Sequence, residues 1–199
     1  MSTLFGLIGT AISLLAFIPY VKSILAGITK PHLFTWLIWT LVTGIAGIGQ
    51  YVAGAGPSAW CTLAITATCF ATFMVSIKHG TRDITRFDWL CLLTALAAIP
   101  IWLITKDPTI SICIVTSIEL VGFFPTFRKT LFDPYSESML YFLLTVLKYG
   151  FSVAALEKWT IATAIYPCVT LIACILFCAV MWIARKKLEN NNAKDTPLP

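Results

Sequence analysis

Two charged side chains stand where charge is rarely tolerated. Glu119 falls midway along an apolar run from 109 to 130, and Lys148 midway along another from 137 to 156. A carboxylate or an ammonium at the centre of a bilayer is costly, and such a group is a functional candidate by default. Consecutive spans cross antiparallel, so the two charges are expected at matching heights. The chemistry open to them is to grip a solute or to exchange a proton. The structural alternative is an ion pair that sets the bundle register and offsets the cost of burial.

Other polar groups in the apolar runs are Thr10, Ser13, Thr40, Thr43, Thr116, Ser117 and Thr145. A hydroxyl can satisfy itself on its own helix, so most of these need no partner. Ser13 and Thr145 are retained as candidates for a solute path. Trp36 and Trp39 form a Trp-x-x-Trp pair about one turn inside the edge of the second run, and Tyr20 and Tyr141 are candidate aromatic walls. Gln50, near the far end of that run, is expected to gate or to cap. The cysteines Cys61, Cys69, Cys91, Cys113, Cys168, Cys174 and Cys178 all lie in apolar runs without a CxxC. They read as small buried hydrophobes, with Cys174 and Cys178 sharing a helix face as the one conceivable metal pair. His32 and His79 are isolated and expected to be solvated. No nucleophile elbow, zinc-protease motif, P-loop or dinucleotide fingerprint occurs, so neither an enzyme nor a bound cofactor is expected.

The elements that must position these groups follow from composition. Of 199 residues, 58% are hydrophobic and 12% charged, with a mean hydropathy of +0.87. Soluble domains are about half apolar and roughly a quarter charged. The lipid bilayer is the expected partner. The net charge of +5 does not point to nucleic acid, because the basic residues lie in short turns with no continuous groove. Spans need about 20 apolar residues. Windows at 4–25, 33–53, 58–77, 87–105, 109–130, 137–156 and 160–184 qualify, separated by turn residues such as Gly27–Pro31 and Gly54–Pro57. The polar stretch from Leu188 reads as a disordered tail.

Basic residues decide the orientation. With the N-terminus outside, inner segments hold Lys22, Lys30, Lys78, Arg82, Arg86, Arg128, Lys129, Arg185, Lys186, Lys187 and Lys194, and outer segments hold only Lys106 and Lys158. That asymmetry predicts seven spans, N-out and C-in. The N-terminal run lacks a basic flank and reads as a permanent span rather than a cleaved signal.

Thr10–Leu25 (TAISLLAFIPYVKSIL) recurs without a gap as Thr116–Leu131 (TSIELVGFFPTFRKTL). Thr, Ile, Leu, Phe, Pro and Leu keep register, and Lys22 is matched by Arg128. Trp60 and Cys69 are similarly echoed by Trp159 and Cys168. Spans one to three therefore match spans five to seven, with the fourth left between them: a 3+1+3 parallel repeat. The expected division is 1–80 for the first triple-helix bundle, 81–107 for a linker helix, 108–187 for the second bundle and 188–199 for a cytoplasmic tail. Pro19 and Pro125 each remove a backbone donor at equivalent points, which makes them candidate hinges. Gly44, Gly47, Ala16 and Gly122 are small enough to let helices approach closely.

On these residues the chain resembles the PQ-loop, SWEET-like (MtN3/saliva-type) superfamily, in a bacterial branch. Pro19-Tyr20 and Pro125-Thr126 stand where that family has Pro-Gln, and FPTFRKTLFDPYSES is similar to its post-proline loop. The resemblance implies a carrier for a small polar metabolite, alternating access between two bundles, with proton coupling through Glu119 as one option. It implies a multi-pass protein of the bacterial plasma (inner) membrane, acting alone or as a homo-oligomer. SWEET-like sugar sites use Asn, and every Asn here lies in the tail, which counts against a sugar. The Trp36–Trp39 spacing also resembles nicotinamide riboside carriers, an alternative reading. A non-transporting scaffold or receptor is the third, and a central cavity without polar lining would favour it.

Overall fold

The computed structural model describes residues 1–81, 84–105 and 107–195. Arg82 and Lys106, two of the basic residues counted above, lie outside them, as do the side chains of Cys91 and Lys194. The chain is all-helical: α1 (Ser2–Leu25), α2 (Leu33–Val52), α3 (Pro57–His79), α4 (Arg86–Thr105), α5 (Pro108–Phe132), α6 (Met139–Ala154) and α7 (Ile161–Asp195). Among the described residues no strand forms, and one isolated bridge joins His32 to Thr81.

The helix starts follow local chemistry. Pro57 and Pro108 open α3 and α5, where a missing N–H costs nothing. The Asp107 carboxylate caps α5 by accepting from the Thr109 and Ile110 amides at 2.7 and 3.4 Å. Ser138 caps α6 through the Tyr141 amide at 3.3 Å. Gly56 sits at φ 64° just before α3, a conformation that favours glycine.

Four helices, α1, α2, α3 and α7, are long and apolar enough to cross a membrane, counting only described residues. The first two-thirds of α1 bury residues in the opposite sense to a soluble helix. On α1 the buried residues include Gly6, Gly9, Ser13 and Ala16, while Leu7, Leu14, Leu15 and Ile18 are exposed. Small residues turned inward and large aliphatics turned outward suit an apolar solvent, in which close helix approach replaces hydrophobic burial. Gly9 illustrates it: a Cβ there would stand 2.7 Å from Cys61 Sγ on α3 and 3.3 Å from the Lys148 carbonyl on α6. Gly47 and Gly122 have the role expected of them, with a Cβ at 2.8 Å from Leu63 and 3.0 Å from Ile38; Gly44 has ordinary room, 3.5 Å from Thr66.

The packing order is informative. Both α1 and α2 pack on α3, and both α5 and α6 pack on α7. Between these groups α1 meets α6, α2 meets α5, α3 meets α6, and α2 meets α7; α4 lies against α5 and α2. Pro19 and Pro125 lie inside α1 and α5, and Pro100 and Pro167 lie inside α4 and α7.

Three expectations are corrected. The window 137–156 holds a helix of only 16 residues, α6, about 24 Å at ~1.5 Å per residue. Ser138 caps one end, and the other turns at Ala155, whose amide donates to Phe151 O at 2.9 Å. The stretch from Leu188 continues α7 to Asp195 rather than starting a tail. Its first turns are anchored on the loop before α6. Arg185 donates to the Pro134 and Glu137 carbonyls at 2.9 and 2.7 Å and stacks over the Tyr135 ring, and Tyr135 donates to Glu189 at 2.8 Å. That bond to the Glu189 carboxylate holds the Tyr135 phenol above its ordinary pKa. Finally, His32 is buried, not solvated, because the bridge to Thr81 and the start of α2 close around it. Its ring meets Thr35 at 3.4 Å.

Candidate functional site

A small cavity lies where α2, α3, α5, α6 and α7 converge. Trp39 and Thr43 line it from α2, Ile65 and Cys69 from α3, and Glu119 and Phe123 from α5. From α6 come Tyr141, Phe142, Thr145, Lys148 and Tyr149, and from α7 Thr170 and Cys174. Its volume is about 20 Å³, room for roughly one water at ~10–15 Å³ each. Glu119 and Lys148 thus share one cavity, as their matching depth predicts. They are 3% and 1% exposed.

The expected direct ion pair is not formed. No N–O approach within 4.0 Å joins them, and Glu119 Oε2 is buried without a hydrogen-bond partner. The Lys148 ammonium lies 5.4 and 5.8 Å from the Tyr141 and Tyr149 ring centroids. Cation–π attraction offsets part of its burial. The carboxylate's electrostatic neighbours are Tyr166 and Lys148. The indole N–H of Trp39 and the hydroxyl of Tyr166 are likewise buried without partners. Unmet buried polar groups are expensive, and Trp39 and Glu119 bring two of them to the lining of this cavity.

The remaining candidates divide. Thr145 lines the cavity, although its hydroxyl donates to its own helix at Tyr141 O, 2.9 Å. Ser13 is buried outside it and donates to Gly9 O at 2.8 Å. Trp36 also stands outside, edge-on to Trp39 with centroids 5.1 Å apart. With Tyr20 (5.3 Å from Trp36, 4.2 Å from Tyr141) it forms an aromatic plug on one side of the cavity. Gln50 is buried at the other side, accepting from Thr62 at 2.7 Å.

Hydrogen bonds tie neighbouring helices together at both ends of the bundle. At the end that carries Lys22, Lys30 and Lys129, called here the basic end, the Tyr20 hydroxyl donates to Glu137 Oε2 at 3.0 Å. Lys129 pairs with the same carboxylate and reaches the Lys30 carbonyl. Thr126 meets Thr35 at 3.2 Å beside them. Glu137, 2% exposed, therefore ties α1 to α5 and to the start of α6. At the opposite end Ser58 and Ser152 approach to 3.0 Å, and Ser2 donates to Glu157 at 2.9 Å.

Glu137, Tyr149, Tyr166 and Thr170 went unnoticed as candidates in the sequence. Glu137 looks like an ordinary turn residue, and its one signal is that it borders an apolar run beside an unusually basic helix end. Tyr166 precedes Pro167 inside the last run, which carries no weight without knowledge of its face. A larger hollow lies elsewhere, a groove of about 750 Å³ between α5 and α7 lined by Leu120, Phe124, Leu131, Ile172 and Leu176. Its walls are apolar apart from Arg128 and offer little to orient a polar solute. No protein-family model, curated protein or solved structure matches the chain.

Proposed function

We propose that the chain is a seven-span carrier for a small polar metabolite, working by alternating access between α1–α3 and α5–α7. The central cavity is its occluded solute site, and the basic end faces the cytoplasm of a bacterial cell. The observation that carries this is that Glu119 and Lys148, both buried and not paired with each other, line one cavity between the two groups of helices. A scaffold gains nothing from such a cavity, whose lining includes Glu119, Lys148, Thr43, Thr145 and Thr170.

The packing order supports descent from a duplicated unit. Exchange α1 with α5, α2 with α6 and α3 with α7, and the contact pairs map onto one another: α1–α3 onto α5–α7, α2–α3 onto α6–α7, α1–α6 onto α2–α5, and α3–α6 onto α2–α7. Thr10–Leu25 and Thr116–Leu131 fall at equivalent places on α1 and α5, with Pro19 and Pro125 inside both helices. Hinging there would free the basic ends of α1 and α5, where Tyr20 and Lys129 meet Glu137. The outer parts would stay packed on α3 and α7.

A second reading, a facilitator for an aromatic vitamin such as a nicotinamide riboside-like solute, is favoured by Trp39, whose unpartnered N–H borders the cavity. Both readings are tested in proteoliposomes loaded with radiolabelled sugars, amino acids or vitamins. At least one class is expected to leave ten or more times faster than from protein-free vesicles, and the class that does so selects the reading. Efflux at the lipid leak rate for every class would leave only the scaffold.

A further inference from the structure

We infer that the groove between α5 and α7 binds an anionic phospholipid of the cytoplasmic leaflet, one acyl chain lying in the groove and the phosphate at its basic mouth. This rests on the seven-span reading above, with the basic end toward the cytoplasm. The groove measures about 750 Å³, within the ~300–1,000 Å³ of sites that hold small ligands. Its walls at Leu120, Phe124, Leu131, Ile172 and Leu176 are 42% to 63% exposed, so it opens sideways, toward the lipid.

Its height fits one leaflet. Leu120 stands beside Glu119 at mid-span, and Leu131 is next to the last residue of α5. The rise between them is about 16 Å at ~1.5 Å per residue. Half of a ~30 Å hydrocarbon core is ~15 Å. An acyl chain reaching from its headgroup to the bilayer centre has that length, whereas a neighbouring transmembrane helix would need the full height. Charge lies at one end only. On α7 the lining residues Val169, Ile172 and Leu176 recur at helical spacing, and the same stripe runs on through Ile183 to Lys187, both exposed. On α5 the mouth carries Arg128, the one charged residue among those described in the lining. Arg128 also donates to Thr85 at 2.9 Å; a guanidinium has five N–H donors and serves several acceptors at once. Glu189 falls on another face of α7, where it accepts from Tyr135. Two basic residues at the cytoplasmic edge of an apolar slot match a phosphate with a hydrocarbon chain behind it.

The test is photo-crosslinking of the full chain in phosphatidylcholine vesicles. Two lipid probes carry the same diazirine on an acyl chain, one a phosphatidylglycerol and the other a phosphatidylcholine, and labelled peptides are located by mass spectrometry. The exposed face of α1 at Leu7 and Leu14 is the internal reference. Relative to it, phosphatidylglycerol is expected to label 120–131 and 169–176 at least fivefold more than phosphatidylcholine does. Arg128→Gln combined with Lys187→Gln is expected to bring that ratio to about one. Ile172→Trp, which fills the groove, is expected to lower labelling there by both probes at least threefold. Equal labelling by the two probes in the unaltered chain would make the groove ordinary lipid-facing surface and overturn the assignment. Absence of label in the groove would overturn it too, and crosslinks across it between two chains would mark an interface between copies instead. Should Arg128→Gln fail to fold for want of its bond to Thr85, Lys187→Gln alone and the ratio on the unaltered chain decide. The carrier reading is tested apart from this, by labelling Cys69 from both faces. A chain so labelled that shows no headgroup preference loses the lipid site and keeps the carrier.

Discussion

Replacing Glu119 by Gln abolishes pH-driven accumulation of the transported solute. The variant keeps the shape of the side chain and removes the charge and the titration. Glu119 is the one carboxylate among the described residues that line the cavity, and the groups around it are Lys148 and Tyr149 of α6, Tyr166 and Cys174 of α7, and Cys69 of α3. A carboxylate placed there can hold either a proton or the cationic end of a solute, so the two compete and their movements are coupled. One proton per solute lets one pH unit sustain a solute gradient of up to about tenfold, because one unit corresponds to ~1.4 kcal/mol. The unaltered chain is expected to approach that ratio in proteoliposomes with an imposed pH step, and Glu119→Gln to stay at about one. Coupling that survives intact in the variant removes Glu119 from the mechanism.

Opening the basic end is the second large effect. Glu137 is the point at which Tyr20 of α1 and Lys129 of α5 are held together. Glu137→Ala leaves the Tyr20 hydroxyl and the Lys129 ammonium without their acceptor. Breaking a buried pair by removing one partner costs about 3–5 kcal/mol. Here the lower end is expected, because the Lys129 side chain is 13% exposed and keeps some contact with water. That energy comes out of the closed state, so the basic end opens more often. In a chain whose single remaining cysteine is Cys69, a cavity-lining residue, Glu137→Ala is expected to raise labelling from the basic side by at least tenfold. Tyr20→Phe, which loses one hydrogen bond and keeps the aromatic plug, is expected to raise it less. Equal labelling in all three chains would mean that Glu137 is a structural tie and not a latch.

These expectations draw unequally on the sequence. Some helix starts were legible because their causes are local: the windows opening at 58 and 109 begin one residue from Pro57 and Pro108, where α3 and α5 start. The shared height of Glu119 and Lys148 was legible too, because depth in a span is a count along the chain. Azimuth was not. A helix turns through 3.6 residues, so whether Ser13 or Tyr166 faces the cavity depends on how each helix is rotated against its neighbours. Ser13 faces away, and the cavity holds Tyr149 and Thr170 instead. The missing bond between Glu119 and Lys148 is of the same kind: equal height does not bring two side chains within reach. Glu137 was illegible for another reason. Its partners Tyr20 and Lys129 come from different helices, and only the packing of α1 against α6 unites them. The extension of α7 past Leu188 is tertiary as well, held by Arg185 and Glu189 on the loop around Tyr135.

The most direct test of alternating access is chemical modification of Cys69 from each face of the membrane. Cys69 is 3% exposed and borders the cavity, and the other six of the seven cysteines are replaced by alanine. A membrane-impermeant thiol reagent is applied to right-side-out and to inverted vesicles. Modification is expected from both faces, with each face slowed when the opposite one is held open. Modification from one face only, or from neither, contradicts a carrier.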